Sequence, residues 1–214
     1  MGKLMNGING PFSGKVGAVV GYVSRGKSIM RSLPNINKSR KPSPLQAQQH
    51  VKFSLMNKFL GPIIPFLNIT NKTDNPDLSG YNKAFSYNVK NAISGSYPDL
   101  VINYEMALLT RGDLPNVKQS TAESDSIGKI TFSWTDNSGS GQARSGDKAF
   151  VAIYCPEIAN GWVYGFDLAE RSAGRFLFDV AQFSGHLAHA YIGFLSDNGN
   201  EVSDSLYLGP VEVV

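Results

Sequence analysis

A chain of 214 residues with 42% hydrophobic residues is long enough to bury a sizeable core, and its single cysteine, Cys155, excludes an internal disulfide. The formal net charge of +3 conceals a polarity: residues 1–73 carry eleven Lys and Arg and no acid, whereas residues 74–214 carry nine basic and seventeen acidic residues. The formal charge therefore runs from +11 to −8, which points to nucleic acid, an acidic partner or another copy of the chain.

The first predicted element is an apolar strand over residues 16–23, in which successive side chains point to opposite faces. One face carries Val16, Ala18, Val20 and Tyr22, and the other carries Gly17, Val19, Gly21 and Val23. The sequence Ser24-Arg25-Gly26-Lys27 supplies turn residues, and residues 28–33 can return as a second strand. The pattern therefore predicts a β-hairpin near the N-terminus.

Two helices are predicted after a basic linker over residues 34–42. Ser43 and Pro44 provide an N-cap and a first-turn proline, and Gly61-Pro62 ends the first helix. Its apolar stripe consists of Leu45, Val51, Leu55, Met56, Phe59 and Leu60. A second, weaker helix is predicted over residues 79–93.

From residue 97 onward the pattern changes to short strands separated by Asn- and Gly-rich turns. The predicted strands span residues 100–109, 129–134, 148–155, 162–167, 174–180, 188–196 and 202–208. Seven such strands predict a mainly β fold, an immunoglobulin/fibronectin-III-like β-sandwich. We therefore expect a basic hairpin-plus-helix region over residues 1–96 and a β-sandwich domain over residues 97–214, with Cys155 a buried thiol in an apolar strand.

Catalytic and ligand-binding motifs are weak throughout. Residues 9–16 fail as a phosphate-binding loop because Asn9 and Val16 stand where the motif needs Gly and Ser or Thr. His186 and His189 are three residues apart, but no nearby Cys or carboxylate completes a metal site. We therefore expect no enzyme activity, no cofactor and no metal.

The sequence also contains no membrane-spanning run and no recognisable secretory signal, so we expect the protein to be synthesised in the cytoplasm. The compartment in which it acts stays open, and an extracellular or virion assembly is one of the possibilities.

Two motifs resemble those of an uncharacterised protein family that is widespread in Bacteroidota. The N-terminal motif is Ser13-Gly14-Lys15-Val16-Gly17 followed by Val20-Gly21, and the C-terminal motif is Ser203-Asp204-Ser205-x-Tyr207-Leu208-Gly209. Between them, the stretch from Pro44 to Gln49 also matches. The resemblance covers nearly the whole chain and implies no established activity.

The leading hypothesis is a non-enzymatic structural protein that forms a homo-oligomer or polymer. In this hypothesis the strand over residues 16–23 adds to an open sandwich edge of a neighbouring copy, with cations steering it toward acidic surface. The predicted assembly residues are Phe12, Lys15, Val16, Val19, Val23, Arg25 and Arg31.

Two alternatives stay open. The first is a nucleic-acid-binding protein that contacts phosphates through Lys38, Arg40, Lys41 and Lys52. The second is a carbohydrate- or surface-binding sandwich that uses Trp162, Tyr164 or Trp134. Of these rings, Trp134 is expected in the core and Trp162 at an exposed position.

Overall fold

The computed structural model describes residues 3–4, 10–24, 26–34, 41–72, 75 and 77–214, which divide into two compact units, Met1–Ser43 and Pro44–Val214. The predicted boundary between residues 96 and 97 places the helices in the basic N-terminal region. The helices instead belong to the second unit, because their apolar faces share one hydrophobic core with the sandwich.

The N-terminal unit is an antiparallel sheet with the strand order β1-β2-β3-β4. Its strands are β1 Lys3–Leu4, β2 Phe12–Val16, β3 Val19–Ser24 and β4 Lys27–Ser32. The predicted continuous strand over residues 16–23 is wrong, because the chain turns at Gly17, whose φ of +56° suits glycine, and Val16 pairs with Val19. The second predicted turn is confirmed, since Ser24 pairs with Lys27.

Three helices open the second unit: α1 Pro44–Leu60, α2 Ile64–Thr70 and α3 Gly80–Asn91. The predicted start of α1 at Pro44 is confirmed, and a short 3-10 turn, Gly61–Ile63, leads directly into α2, which the sequence pattern did not reveal. The second predicted helix corresponds to α3, where the Ser79 hydroxyl accepts a hydrogen bond from the Asn82 backbone N–H at 3.2 Å.

Seven antiparallel strands form the β-sandwich. They are β7 Lys118–Ser126, β8 Lys129–Thr135, β9 Lys148–Tyr154, β10 Trp162–Gly165, β11 Arg175–Asp179, β12 Leu187–Leu195 and β13 Leu206–Glu212. One sheet has the order β11-β8-β7 and the facing sheet has the order β10-β9-β12-β13. This division of seven strands into three and four confirms the mainly β, fibronectin-III-like fold class.

The first predicted sandwich strand, over residues 100–109, is wrong. Its start belongs to a separate two-stranded hairpin, β5 Ile93–Ser96 and β6 Asp99–Ile102, which precedes the sandwich. The missing strand is β7, a polar edge strand that pairs with β8. Residues 103–117 run without regular strand or helix between the hairpin and β7.

Two hydrophobic cores lie on opposite sides of the four-stranded sheet. The core between the two sheets contains Trp134, whose exposed fraction is 6%, and Cys155, which is fully buried as predicted. The other core lies between the four-stranded sheet and the helices, and contains Phe59, Phe66 and Phe150. The second unit therefore has three layers: helices, a four-stranded sheet and a three-stranded sheet.

Candidate assembly surfaces

The register of the N-terminal sheet gives it two chemically different faces, since paired residues of antiparallel strands point to the same side. The uncharged face carries Phe12, Gly14, Val16, Val19, Gly21, Val23, Ser28, Met30 and Ser32. The basic face carries Ser13, Lys15, Val20, Tyr22, Ser24, Lys27, Ile29 and Arg31.

The uncharged face is apolar and exposed to solvent. The exposed fractions are 50% for Val16, 51% for Val23 and 65% for Met30. Gly21 is the one buried position among residues 10–24 and 26–34, because the Phe12 ring covers it: a Cβ placed at Gly21 would lie 2.9 Å from that ring. This face therefore presents branched and aromatic side chains without a charge among them.

The basic face combines cations with exposed apolar groups. Lys15 and Arg31 both lie beside Val20 in the register, and the Arg31 guanidinium carbon lies 5.7 Å from the centre of the Tyr22 ring. Ile29 pairs with Tyr22, and both side chains are more than a third exposed. Since no acidic residue occurs in residues 1–73, the sequence around this face offers no carboxylate to neutralise it.

The predicted assembly residues do not form one surface. Phe12, Val16, Val19 and Val23 lie together on the uncharged face, whereas Lys15 and Arg31 lie on the basic face. Arg25 lies outside the described residues. The apolar anchors and the steering cations therefore serve two different contacts, and β3 is paired on both edges by β2 and β4, so it has no free edge to add to another sheet.

Of the four predicted phosphate-binding residues, two lie in the part of the chain that the structure describes. Lys38 and Arg40 lie outside the described residues. Lys41 is an exposed residue ahead of α1, and Lys52 is a half-buried residue within α1.

The rings proposed for carbohydrate binding are not free. Trp134 lies in the core and its indole N–H donates to the Arg171 carbonyl oxygen at 2.8 Å. The prediction that Trp162 is exposed is wrong, because the ring packs 5.1 Å from the Phe59 ring centre and its N–H donates to the Phe59 carbonyl oxygen at 2.7 Å. Tyr164 packs against Phe66 of α2 at 5.3 Å. The helical layer packs on Trp162 and Tyr164, and the core between the two sheets encloses Trp134.

The C-terminal motif serves a structural purpose. The Ser205 hydroxyl accepts a hydrogen bond from the Leu109 N–H at 2.8 Å, and the Ser203 carbonyl accepts one from the Thr110 hydroxyl at 2.8 Å. The Asp204 carboxylate accepts the Gly112 N–H at 3.0 Å. These hydrogen bonds hold the irregular segment 103–117 beside the start of β13.

The two histidines weighed as metal ligands have different surroundings. The His189 ring stacks on Tyr104 with 3.9 Å between ring centres, and its Nδ1 lies 2.8 Å from the Tyr207 hydroxyl. Burial lowers the pKa of His189. The Nε2 of His186 lies 3.8 Å from a Glu157 carboxylate oxygen. Within the described part of the chain, no group of three or more His, Cys, Asp or Glu is arranged to hold a metal ion.

A polar cleft of about 250 Å³, which the sequence did not reveal, lies beside the turn around Gly199. Lys72, Lys83 and Arg111 line it together with Asp113 and Glu201. The Lys72 ammonium donates to the Gly199 carbonyl oxygen at 2.6 Å. Because cations and carboxylates are mixed along its wall, the cleft selects no single class of ligand.

No helix among the described residues combines the length and the apolar character that crossing a membrane requires. Fold and surfaces together define a fibronectin-III-like β-sandwich with a helical layer on one sheet and a separate, basic N-terminal sheet. The chain belongs to DUF6266, a family of unknown function that matches residues 11–209. The resemblance to an uncharacterised family is confirmed to that extent.

Among the solved structures that resemble the chain are two fibronectin-III domains, and both are distant in sequence. The fn3 domain of human collagen alpha-1(XX) chain is 8% identical, with a TM-score of 0.36, over 56% of this chain and 90% of that domain. The fn3 domain of human contactin 1 is 10% identical, with a TM-score of 0.35, over 56% of this chain and 93% of that domain.

A family 76 glycoside hydrolase from a bovine Bacteroides thetaiotaomicron strain is 15% identical, with a TM-score of 0.35, over 46% of this chain and only 20% of the hydrolase. No curated protein matches the sequence. Likenesses at these TM-scores carry no conclusion about activity.

Proposed function

We propose that the protein is a non-enzymatic structural subunit that assembles with other copies of itself through its N-terminal sheet. The observation that carries this proposal is the uncharged face, on which Val16, Val23 and Met30 are each at least half exposed. A small sheet gains stability when its apolar face is covered, and two such faces pack about 10 Å apart. The uncharged faces of two copies suit each other because neither carries a charge that burial would penalise.

The size of this face argues for repeated contacts. Three strands spaced about 4.8 Å apart and about 20 Å long present roughly 300 Å² on one side. A stable pair of proteins buries about 800 Å² on each partner. One such contact is therefore weak alone, and strong association requires a second contact on the same subunit, so that several weak contacts act together.

The distribution of charge supports contacts between copies. Residues 1–43 contain eight basic residues and no acid, for a formal charge of +8, whereas residues 44–214 contain twelve basic and seventeen acidic residues, for −5. Opposite charges on different parts of one molecule attract neighbouring copies and orient them.

A role without catalysis agrees with how the reactive side chains are used. The Cys155 thiol is fully buried, and His189 is held in a ring stack next to the Tyr207 hydroxyl. The Tyr191 hydroxyl donates to the Tyr104 carbonyl oxygen at 2.7 Å, and burial raises the pKa of Tyr191. These groups stabilise the fold, and none is poised as a nucleophile beside a base.

The test compares the particle mass of the purified protein with that of one variant and one control, by light scattering over a range of concentrations. We expect the unaltered protein to form particles well above the 23.2 kDa of one chain. Val23→Lys places a charge on the uncharged face and should return the protein to single chains. Leu177→Lys is the matched control, because Leu177 is 52% exposed on a strand of the sandwich, close to the 51% of Val23.

The control should assemble like the unaltered protein. If the unaltered protein stays a single chain at every concentration, or if Val23→Lys assembles as well as Leu177→Lys, the proposal is wrong.

A further inference from the structure

The β5–β6 hairpin, with the residues that follow it, forms a second exposed surface, here called the acidic hairpin (residues 93–106). Its inward side chains, Ile93 and Ile102, pack against the core beneath the helices. Three of its apolar side chains are exposed, with exposed fractions of 45% for Tyr97, 57% for Val101 and 52% for Met106. The two strands pair with each other and with no other strand of the described chain, so each leaves an edge without a strand partner.

Both charged residues of the acidic hairpin are acids. Asp99 and Glu105 lie within residues 92–110, where no Lys or Arg occurs. Both side chains are exposed, and neither forms an ion pair with a described residue. The acidic hairpin therefore presents two uncompensated carboxylates among exposed apolar side chains.

The basic face of the N-terminal sheet is the chemical complement of the acidic hairpin. It offers Lys15 and Arg31 as cations and Tyr22 and Ile29 as exposed apolar groups. Pairing the two surfaces would set two cations against two carboxylates while covering apolar area on both sides, the combination that gives orientation and affinity at protein interfaces.

We propose that the acidic hairpin of one copy binds the basic face of the N-terminal sheet of another copy. The inference rests on the proposed function, since it identifies the two surfaces that form the second contact required for assembly. The contact is heterologous: each copy uses its basic face toward one neighbour and its acidic hairpin toward another, so the arrangement extends into a chain. The uncharged face stays available for a different neighbour.

The test is a charge swap in the full-length protein, read as the concentration at which half of the protein is assembled. The first variant is Asp99→Lys with Glu105→Lys, the second is Lys15→Glu with Arg31→Glu, and the third carries all four substitutions. We expect each double variant to raise that concentration about tenfold or more, because like charges then face each other. The fourfold variant should return to within about threefold of the unaltered protein, since the opposite signs are restored.

A matched control changes charge elsewhere by the same amount. Glu123→Lys with Asp179→Lys alters two exposed acids on β7 and β11 of the sandwich, and should leave the half-assembly concentration unchanged. Equal circular dichroism spectra show that all variants keep the fold.

Normal assembly of the Asp99→Lys, Glu105→Lys variant, or no recovery in the fourfold variant, would overturn the inference while leaving the proposed function intact. Absence of assembly in the unaltered protein would overturn the proposed function itself. If only the Lys15→Glu, Arg31→Glu variant changes, and what it loses is retention on DNA or RNA, the basic face binds nucleic acid and the inference is wrong.

Discussion

Replacing Arg171 with methionine should lower the free energy of unfolding by about 3–5 kcal/mol, the usual cost of removing one partner from a buried ion pair. Arg171 and Asp147 are both fully buried, and the Arg171 Nε donates to the Asp147 carboxylate at 3.0 Å. The guanidinium also donates to the Asn137 side-chain oxygen at 2.8 Å and to the Pro115 carbonyl oxygen at 3.0 Å. Methionine fills a similar volume but leaves the Asp147 carboxylate with one hydrogen bond, from the Arg144 N–H at 2.9 Å.

Urea unfolding followed by tryptophan fluorescence measures this effect, because the Trp134 indole donates to the Arg171 backbone. Adding Asp147→Asn to Arg171→Met removes the unpaired buried charge. The stability loss of the double variant should therefore be about 1–3 kcal/mol smaller than the sum of the losses of the two single variants. A loss below about 1 kcal/mol for Arg171→Met would refute the reasoning, since it would mean that the Asp147 carboxylate is rehydrated at little cost.

Three further predictions follow from packing and burial. Gly193→Ala should cost about 1–3 kcal/mol in urea unfolding, because the added methyl group overlaps the Phe150 ring; an unchanged midpoint would contradict this. Stability should fall as the pH drops below about 6.5, because burial lowers the pKa of His189 in the folded state and the unfolded chain takes up the proton first. His189→Gln should flatten that pH dependence, and an identical slope in the variant would assign the effect to other groups. Deleting residues 1–43 should leave the urea midpoint of the remainder within error, because the described residues of both cores belong to residues 44–214; a lower midpoint would show that the sheet contributes to their stability.

The sandwich could be predicted from the sequence wherever strands are apolar on at least one face. Strand β9, which is buried on both faces, and β8, which alternates between buried and less buried residues, both gave clear signals. Strand β7 gave none: its sequence is Lys-Gln-Ser-Thr-Ala-Glu-Ser-Asp-Ser, and its one apolar residue, Ala122, packs against the core. An edge strand held mainly by backbone pairing to β8 leaves almost no hydrophobic pattern to read.

The candidate surfaces were predictable in composition but not in arrangement. The apolar and basic residues of the N-terminal sheet stand out in the sequence, yet the turn at Gly17 brings Val16 and Val19 to the same face and Lys15 to the other. A register change of one residue exchanges the two faces of a strand, and turn position cannot be read from alternation alone. Trp162 was misplaced for a different reason, because the helix that covers it lies about 100 residues earlier in the sequence.

The layer of helices over the four-stranded sheet has a consequence for synthesis. Phe66 of α2 lies with its ring centre 5.6 Å from that of Phe150, so the helices complete their packing on strands that follow them by about 85 residues or more. Because translation adds roughly 5–20 residues per second, the apolar faces of α1 and α2 remain uncovered for roughly 5–20 seconds before the strands that cover them are synthesised. During that interval these faces are open to chaperones and to neighbouring nascent chains, so the helical segment is exposed to misassociation while the chain is being made.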